Sequence, residues 1–221
     1  MPAKERFRFA IVGAGVIAKV HAEAIRQHPG AELAAVSDRT LAKAQRLAGE
    51  YGADAYDDYR EMLKRPDIDV VCVCTPSGKH AEVAVAAAEA GKHVLCEKPL
   101  EIRPDRMSEM IEACRKHGVK LGCVFQRRLM PAVEITRRAL REGRLGRLVM
   151  ANAYLKYYRS QEYYDSGGWR GTRELDGGGC LMNQGVHGID LIMHLAGEVE
   201  SVFAYTGTLA RNIEVEDTAV I

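Results

Sequence analysis

The apolar run Phe9-Ala10-Ile11-Val12 passes straight into Gly13-Ala14-Gly15-Val16-Ile17-Ala18 and then a helical stretch, and no other feature constrains the fold as strongly. Strand, glycine turn and helix in that order open a β-α-β unit. In such a unit the first glycine makes the tight turn and the second admits a diphosphate to the backbone. A small third residue, here Ala18, lets helix pack on strand. The N–H groups of the first helical turn, around Gly15, Val16 and Ile17, would face the phosphates. About 20 residues further on, Leu33-Ala34-Ala35-Val36 ends in Ser37-Asp38-Arg39, the spacing at which a carboxylate accepts the ribose hydroxyls of a dinucleotide. Asp38 would repel the 2′-phosphate of NADP and so favours NAD. Arg39 beside it could accommodate that phosphate, which keeps NADP open.

Apolar strands and helices then alternate. Leu41 to Tyr51 is predicted helical, with Thr40 as N-cap and Gly52 as stop. Val70-Val71-Cys72-Val73-Cys74 is a continuous apolar run, the mark of a strand buried on both faces of a parallel sheet, and it ends in Thr75-Pro76-Ser77. His80 to Ala90 is predicted helical and stops at Gly91. Pro104 suits the first turn of a helix through Lys116 that stops at Gly118, and Val119 to Phe125 is the next strand. The alternation specifies an α/β fold, a doubly wound parallel sheet over residues 1–124. Residues 125–221 read differently. A helix, Pro131 to Arg141, leads to a long strand, Leu148 to Tyr158, and then to a loop of about twenty residues, a length usually functional in a compact domain. A helix, Cys180 to Leu195, a strand, Ser201 to Leu209, and the start of another strand at Asp217 to Ile221 complete the second, α+β domain.

Composition narrows the function classes. A net charge of +1 and 6% aromatic residues give no hint of a nucleic-acid surface, and the arginines from Arg137 to Arg147 read as a solvated face. No apolar run approaches the ~20 residues of a membrane span, and no signal peptide is evident. The six cysteines stand singly or as Cys72-x-Cys74, mostly inside apolar patterns, as buried small hydrophobes do. A reducing cytoplasm is therefore expected.

The run His93-Val94-Leu95-Cys96 closes on Glu97-Lys98-Pro99, where a strand should emerge at the carboxyl edge of the sheet. Ligands of open α/β sheets bind at that edge, so Lys98 points at whatever binds there. Thr75, Pro76 and His80 belong to the same edge, with Thr75 and His80 expected along the phosphate and nicotinamide side of a cofactor. Gln126 and Arg128, just past the last strand, face the crevice by topology. His187, Asp190 and His194 lie at i, i+3 and i+7 of a helix, a spacing that superficially resembles metal ligation, but no further cysteine or carboxylate cluster completes a set, so no metal is expected. The segment Tyr157 to Trp169, with Arg159, Tyr163, Tyr164, Asp165, Trp169 and Arg170, has the composition of a sugar platform, although the aromatics could equally anchor the loop.

Taken together, Gly13-Ala14-Gly15-Val16-Ile17-Ala18 with His21, Cys74-Thr75-Pro76 with His80, Gly91 through Pro99, and Gly178-Gly179 followed by His187 and Asp190 resemble the Gfo/Idh/MocA oxidoreductases. The resemblance covers the whole chain. It implies an NAD(P)-dependent dehydrogenase of sugars, inositols or sugar nucleotides, with Lys98 and His187 catalytic and a cis peptide bond before Pro99. Glu97 and Gln126 are expected among the cofactor contacts. Arg128, Trp169, Arg170 and Asn183 are expected around the substrate with Lys98 and His187. Members of that family are longer and carry a large, open, mainly antiparallel C-terminal sheet, so the second domain is expected to be incomplete. A dimer or tetramer through that sheet is expected where it is complete.

Chemistry agrees with these assignments. Oxidising a secondary alcohol needs a base for the hydroxyl proton while hydride leaves the same carbon. An imidazole can take a proton at neutral pH, and an ammonium can stabilise the developing alkoxide. Where many members carry an aspartate four residues before the histidine, this chain has Asn183, which can orient a partner but cannot hold charge. Met182-Asn183-Gln184 with His187 looks more like the branch that oxidises the 3-hydroxyl of nucleotide-linked N-acetylated sugar uronates. Two other readings stand beside the dehydrogenase: a non-catalytic NAD(H)-binding or regulatory protein, and a glycoside hydrolase that uses NAD through transient oxidation.

Overall fold

Each strand of the first half carries apolar side chains on both faces, which commits it to a sheet covered on both sides. The computed structural model describes residues 6–221 and divides into two compact units, through Val124 and from Phe125 onward. In the first unit β1 (Phe7–Val12), α1 (Val16–Gln27), β2 (Ala31–Ser37), α2 (Leu41–Tyr51), β3 (Asp54–Tyr56), α3 (Tyr59–Leu63), β4 (Val70–Val73), α4 (His80–Glu89), β5 (His93–Cys96), α5 (Pro104–Lys116) and β6 (Leu121–Cys123) follow one another. The strands form one parallel sheet in the order β3-β2-β1-β4-β5-β6. Successive residues feed opposite cores. Ala10, Val12, Val71, Val73, Val94 and Cys96 pack on one side, while Ile11, Cys72 and Cys74 pack with Ala18, Ala22 and Ile25 of α1 on the other.

Local signals set the helix limits. Gly52 and Gly118 lie in the left-handed region just past α2 and α5, and Pro104 opens α5. The Thr40 hydroxyl makes no capping bond to α2. The strand expected over Val119 to Phe125 is shorter, Leu121–Cys123, and the one from Val70 ends at Val73.

In the second unit a 3₁₀ turn, Gln126–Leu129, precedes α6 (Pro131–Arg141), α7 (Gln161–Asp165), a π-helical turn at Leu181–Gly185, α8 (Val186–Ala196) and the antiparallel pair β7 (Tyr205–Gly207) and β8 (Thr218–Val220). α6 has the limits its sequence predicts. The strand expected over Leu148 to Tyr158 does not form. No described strand lies beside that segment to exchange backbone hydrogen bonds, and Val149, Met150 and Tyr154 are exposed. For the same reason the strand expected over Ser201 to Leu209 is reduced to the three residues that pair with β8.

The helix expected from Cys180 to Leu195 starts with the π-helical turn because the chain before it is tied down. Glu216 Oε1 accepts the N–H groups of Gly179 (2.9 Å) and Leu181 (3.0 Å), and Glu216 O accepts that of Cys180 (2.8 Å). A Cβ on Gly179 would stand 1.8 Å from Glu216 O, so only glycine fits there.

Candidate nucleotide site and candidate catalytic residues

Register brings the first set of residues together. Val12 is level with Ser37 on one side and Val73 on the other, and Val73 is level with Cys96. The residues that follow each strand, Gly13, Asp38, Thr75, Glu97 and Lys98, therefore share one carboxyl edge. The strand order reverses between β1 and β4, which is where such sheets bind ligands.

At that point the glycine turn touches the end of β4. Gly13 has φ +96°, and a Cβ on it would lie 2.6 Å from Cys74 O and 3.0 Å from Thr75 N. Gly15 is different: nothing lies within 4 Å of the Cβ it lacks. The open space in front of the α1 N-terminus is the approach a diphosphate requires. Val16 is exposed there, whereas Ile17 packs into the core. The Asp38 carboxylate is aimed by two backbone donors, Ala14 N–H to Oδ2 (2.8 Å) and Thr40 N–H to Oδ1 (2.9 Å), and keeps lone pairs for ribose hydroxyls. Arg39 is exposed. The Thr75 hydroxyl is buried with no hydrogen-bond partner among the described residues, a cost a bound ligand would relieve. A cradle with one carboxylate at the ribose position and an orphaned hydroxyl at the switch point fits NAD.

Glu97 is fixed from two directions. Its Oε1 lies 2.8 Å from His21 Nε2 on α1, and its Oε2 accepts the Lys98 N–H at 3.2 Å. Burial pushes this carboxyl up, but the His21 bond and charge and the Lys98 N–H and ammonium outweigh burial and leave it below the ordinary range. Glu97 is thus a buried carboxylate that links the glycine-turn helix to the residue beside it, Lys98, which is half-buried and joined to Pro99 by a cis peptide bond.

His80 has a different part from the one its sequence position suggests. Its ring is buried, with Nδ1 2.9 Å from Pro99 O and Nε2 3.0 Å from Thr75 O. Burial holds its pKa below the usual value despite those carbonyls. Both nitrogens face backbone, so the ring fastens the Thr75 and Pro99 loops to each other and offers no polar edge to a ligand.

In the second unit His187 is buried on the first turn of α8, directly after the π-helical turn that carries Asn183. Such turns recur at functional sites. The Asn183 Oδ1 accepts from Gln184 Nε2 at 3.2 Å. Gln126 is exposed at the start of the 3₁₀ turn. Arg128 binds Asp190 through Nε (3.0 and 2.9 Å) and Nη2, so a buried carboxylate on α8 is neutralised from that turn. Asp190 is thereby committed to a guanidinium.

The aromatic loop spends its cations on itself. Arg170 lies 4.6 Å from the Tyr163 ring centroid and 5.7 Å from that of Trp169, and donates to Tyr163 O (3.3 Å) and Ser166 Oγ (2.7 Å). Arg159 lies 4.9 Å from the same Tyr163 ring. These contacts favour the anchoring role for Arg170 and Tyr163 over a platform for sugar.

Comparison with known proteins agrees in both units. Residues 7–125 match the oxidoreductase family described as having an NAD-binding Rossmann fold, and residues 133–221 match the GFO/IDH/MocA C-terminal domain. The chain belongs to the Gfo/Idh/MocA family. Among its relatives in this family is the D-glucoside 3-dehydrogenase of Escherichia coli K12, 38% identical over 205 residues that cover 90% of this chain and 57% of that protein. The WlbA dehydrogenase of Chromobacterium violaceum, solved with NADH and UDP-GlcNAcA, superposes with a TM-score of 0.95 at 44% identity, covering 98% of this chain and 63% of that one. The Bordetella pertussis WlbA, solved with the same two ligands, gives 0.94 and 41%, with coverage of 97% and 65%. The chain thus spans less than two thirds of the length of these family members.

Sequence reasoning names His21, Glu97, Arg128 and Asp190 but not which of them pair. His21 is 76 positions from Glu97, and Arg128 is 62 from Asp190. Glu101, buried and accepting the N–H groups of Ala81 (2.9 Å) and Ile102 (2.7 Å), was missed. An acid inside an otherwise apolar stretch is the one signal that could have marked it.

Proposed function

We propose that this chain carries the cofactor and substrate machinery of an NAD-dependent dehydrogenase that oxidises a secondary hydroxyl of a sugar, polyol or sugar nucleotide. A nucleotide-linked N-acetylated sugar uronate is the leading substrate class. The observation that carries the reading is the carboxyl edge of the first unit, where Gly13, Asp38, Thr75, Glu97 and Lys98 follow strands that end level with one another. The likeness to two dehydrogenases solved with NADH and UDP-GlcNAcA, together with Asn183 in place of an aspartate, supports the substrate class.

NAD, when bound, supplies the hydride acceptor. The α1 N-terminus at Gly15, Val16 and Ile17 binds the diphosphate, and Asp38 the ribose hydroxyls, with Arg39 beside them. Thr75, Pro76, Glu97 and Gln126 border the rest of the cofactor. Lys98 hydrogen-bonds the reacting hydroxyl and stabilises the alkoxide as it forms, while His187 takes the hydroxyl proton. Asn183 orients substrate near His187, and Trp169 borders the sugar side. We place the protein in the cytoplasm as a homo-oligomer. The six free cysteines support the reducing compartment. Among the described residues, no helix is long and apolar enough to cross a membrane.

The test is a fluorescence titration with NADH and NADPH, followed by a screen of UDP-GlcNAcA, simple sugars and inositols for NADH formation. NADH should bind more tightly than NADPH. Asp38→Ala should weaken NADH by about 10-fold or more, the worth of hydrogen bonds to a charged group, and should narrow the gap to NADPH. Equal binding of both cofactors before and after the substitution would remove Asp38 from the site. Cofactor binding with no turnover on any alcohol would favour the non-catalytic reading.

A further inference from the structure

α6, α8 and the 3₁₀ turn before α6 line an open concavity of about 390 Å³. This volume lies in the range of small-molecule sites, roughly 300–1,000 Å³. α6 lines it with Glu134, Arg137, Arg138 and Arg141, the turn with Arg128, and α8 with His194. Arg128 is set against Asp190, but Arg137, Arg138 and Arg141 form no salt bridge among the described residues. Three guanidiniums with no salt bridge among the described residues therefore share one concavity with Arg128 and a single carboxylate, Glu134.

Arg138 and Arg141 are exposed, as on a solvated helix face, but that alone does not bring Arg137 and His194 to the same concavity. Arg138 and Arg141 lie in the last turn of α6, where cations suit the helix dipole, yet that explains neither Arg137 nor the convergence on α8. Arg144, by contrast, has Glu142 at 3.7 Å and does not line the cavity. Like charges gathered around a cavity repel each other unless an anion joins them, and planar guanidiniums match phosphate oxygens two at a time.

We infer that this cavity is an anion site for a phosphate ester or diphosphate of a small organic molecule, held by Arg137, Arg138 and Arg141. Its volume suits an ester better than free phosphate. The site does not depend on the dehydrogenase reading. His194 adds a pH response. Its partial burial, and then the charges of Arg137 and Arg128, hold its pKa below the usual value; Asp190 pulls the other way and Arg141 adds to the depression. A bound anion favours the imidazolium, so affinity rises as pH falls below about 6.5, the ordinary histidine value.

Calorimetric titrations of the full chain with inorganic phosphate, inorganic pyrophosphate and glucose 6-phosphate test the site, with NADH in excess so that the glycine turn is occupied. If NADH does not bind, the nucleotide reading fails separately, and the arginine contrast still decides here because the glycine turn contains none of these side chains. Arg137→Gln with Arg141→Gln should weaken pyrophosphate and glucose 6-phosphate by about 10-fold or more at ~0.15 M salt. The matched loss of charge on α5, Arg115→Gln with Lys116→Gln, should leave both within about twofold. Sulfate, which stays a dianion, should bind more tightly at low pH in the parent chain and lose that response in His194→Gln. Unchanged binding in the α6 variant, equal weakening in the α5 variant, or no saturable binding would overturn the site. Free phosphate binding as tightly as the ester would overturn the ester assignment.

Discussion

Replacing Lys98, the proposed donor to the forming alkoxide, by methionine is expected to lower turnover by about 10²- to 10³-fold, the loss typical when one preorganised donor to a developing oxyanion is removed, while NADH affinity stays within a few-fold. Methionine keeps the length and apolar stem of lysine and deletes only the ammonium. The interaction is strongest when the hydroxyl carries alkoxide charge, so the loss should fall on kcat rather than KM. Steady-state kinetics with UDP-GlcNAcA, beside an NADH fluorescence titration of the same variant, separates the two. A variant that keeps kcat and loses only cofactor binding would move Lys98 from the chemistry to the nucleotide.

How far the chain could be read without coordinates follows from the range of the interaction involved. α2, α5 and α6 have the limits predicted for them because glycine stops, a first-turn proline and apolar periodicity act within a few residues. The glycine turn and Asp38 were legible for the same reason, since the β-α-β unit places them by local spacing. The strand expected over Leu148 to Tyr158 failed because a strand exists only with a neighbour, and alternation in one segment does not say where that neighbour is. His80 shows the same limit within a motif. Its place at the sheet edge was readable, but the two carbonyls that take both ring nitrogens come from Thr75 and Pro99, and the second belongs to a different loop. The arginines of α6 look like a solvated helix face in sequence, and only the fold sets Arg128 and His194 along the same concavity.

The second large effect concerns the pair that holds Lys98's neighbour. His21→Ala should cost about 3 kcal/mol or more, because it leaves Glu97 buried without its strongest partner, and breaking a buried pair from one side costs roughly 3–5 kcal/mol. For a chain of this size that lowers Tm by about 10 °C. Glu97→Gln should cost less, since a neutral amide needs no charge partner and can still meet the imidazole and the Lys98 N–H. Glu97 also sets the acid limb of stability. Its carboxyl is held below its ordinary value in the folded chain, so its contribution is present above that value and is lost as pH falls through the folded pKa. Thermal melts across pH 3 to 7 should therefore show the parent losing stability on the acid side of about pH 4.5, and Glu97→Gln losing less over the same interval. Parallel acid limbs in the two proteins would mean that folding leaves the Glu97 pKa unshifted, so that His21 and Lys98 hold the carboxylate no better than water does.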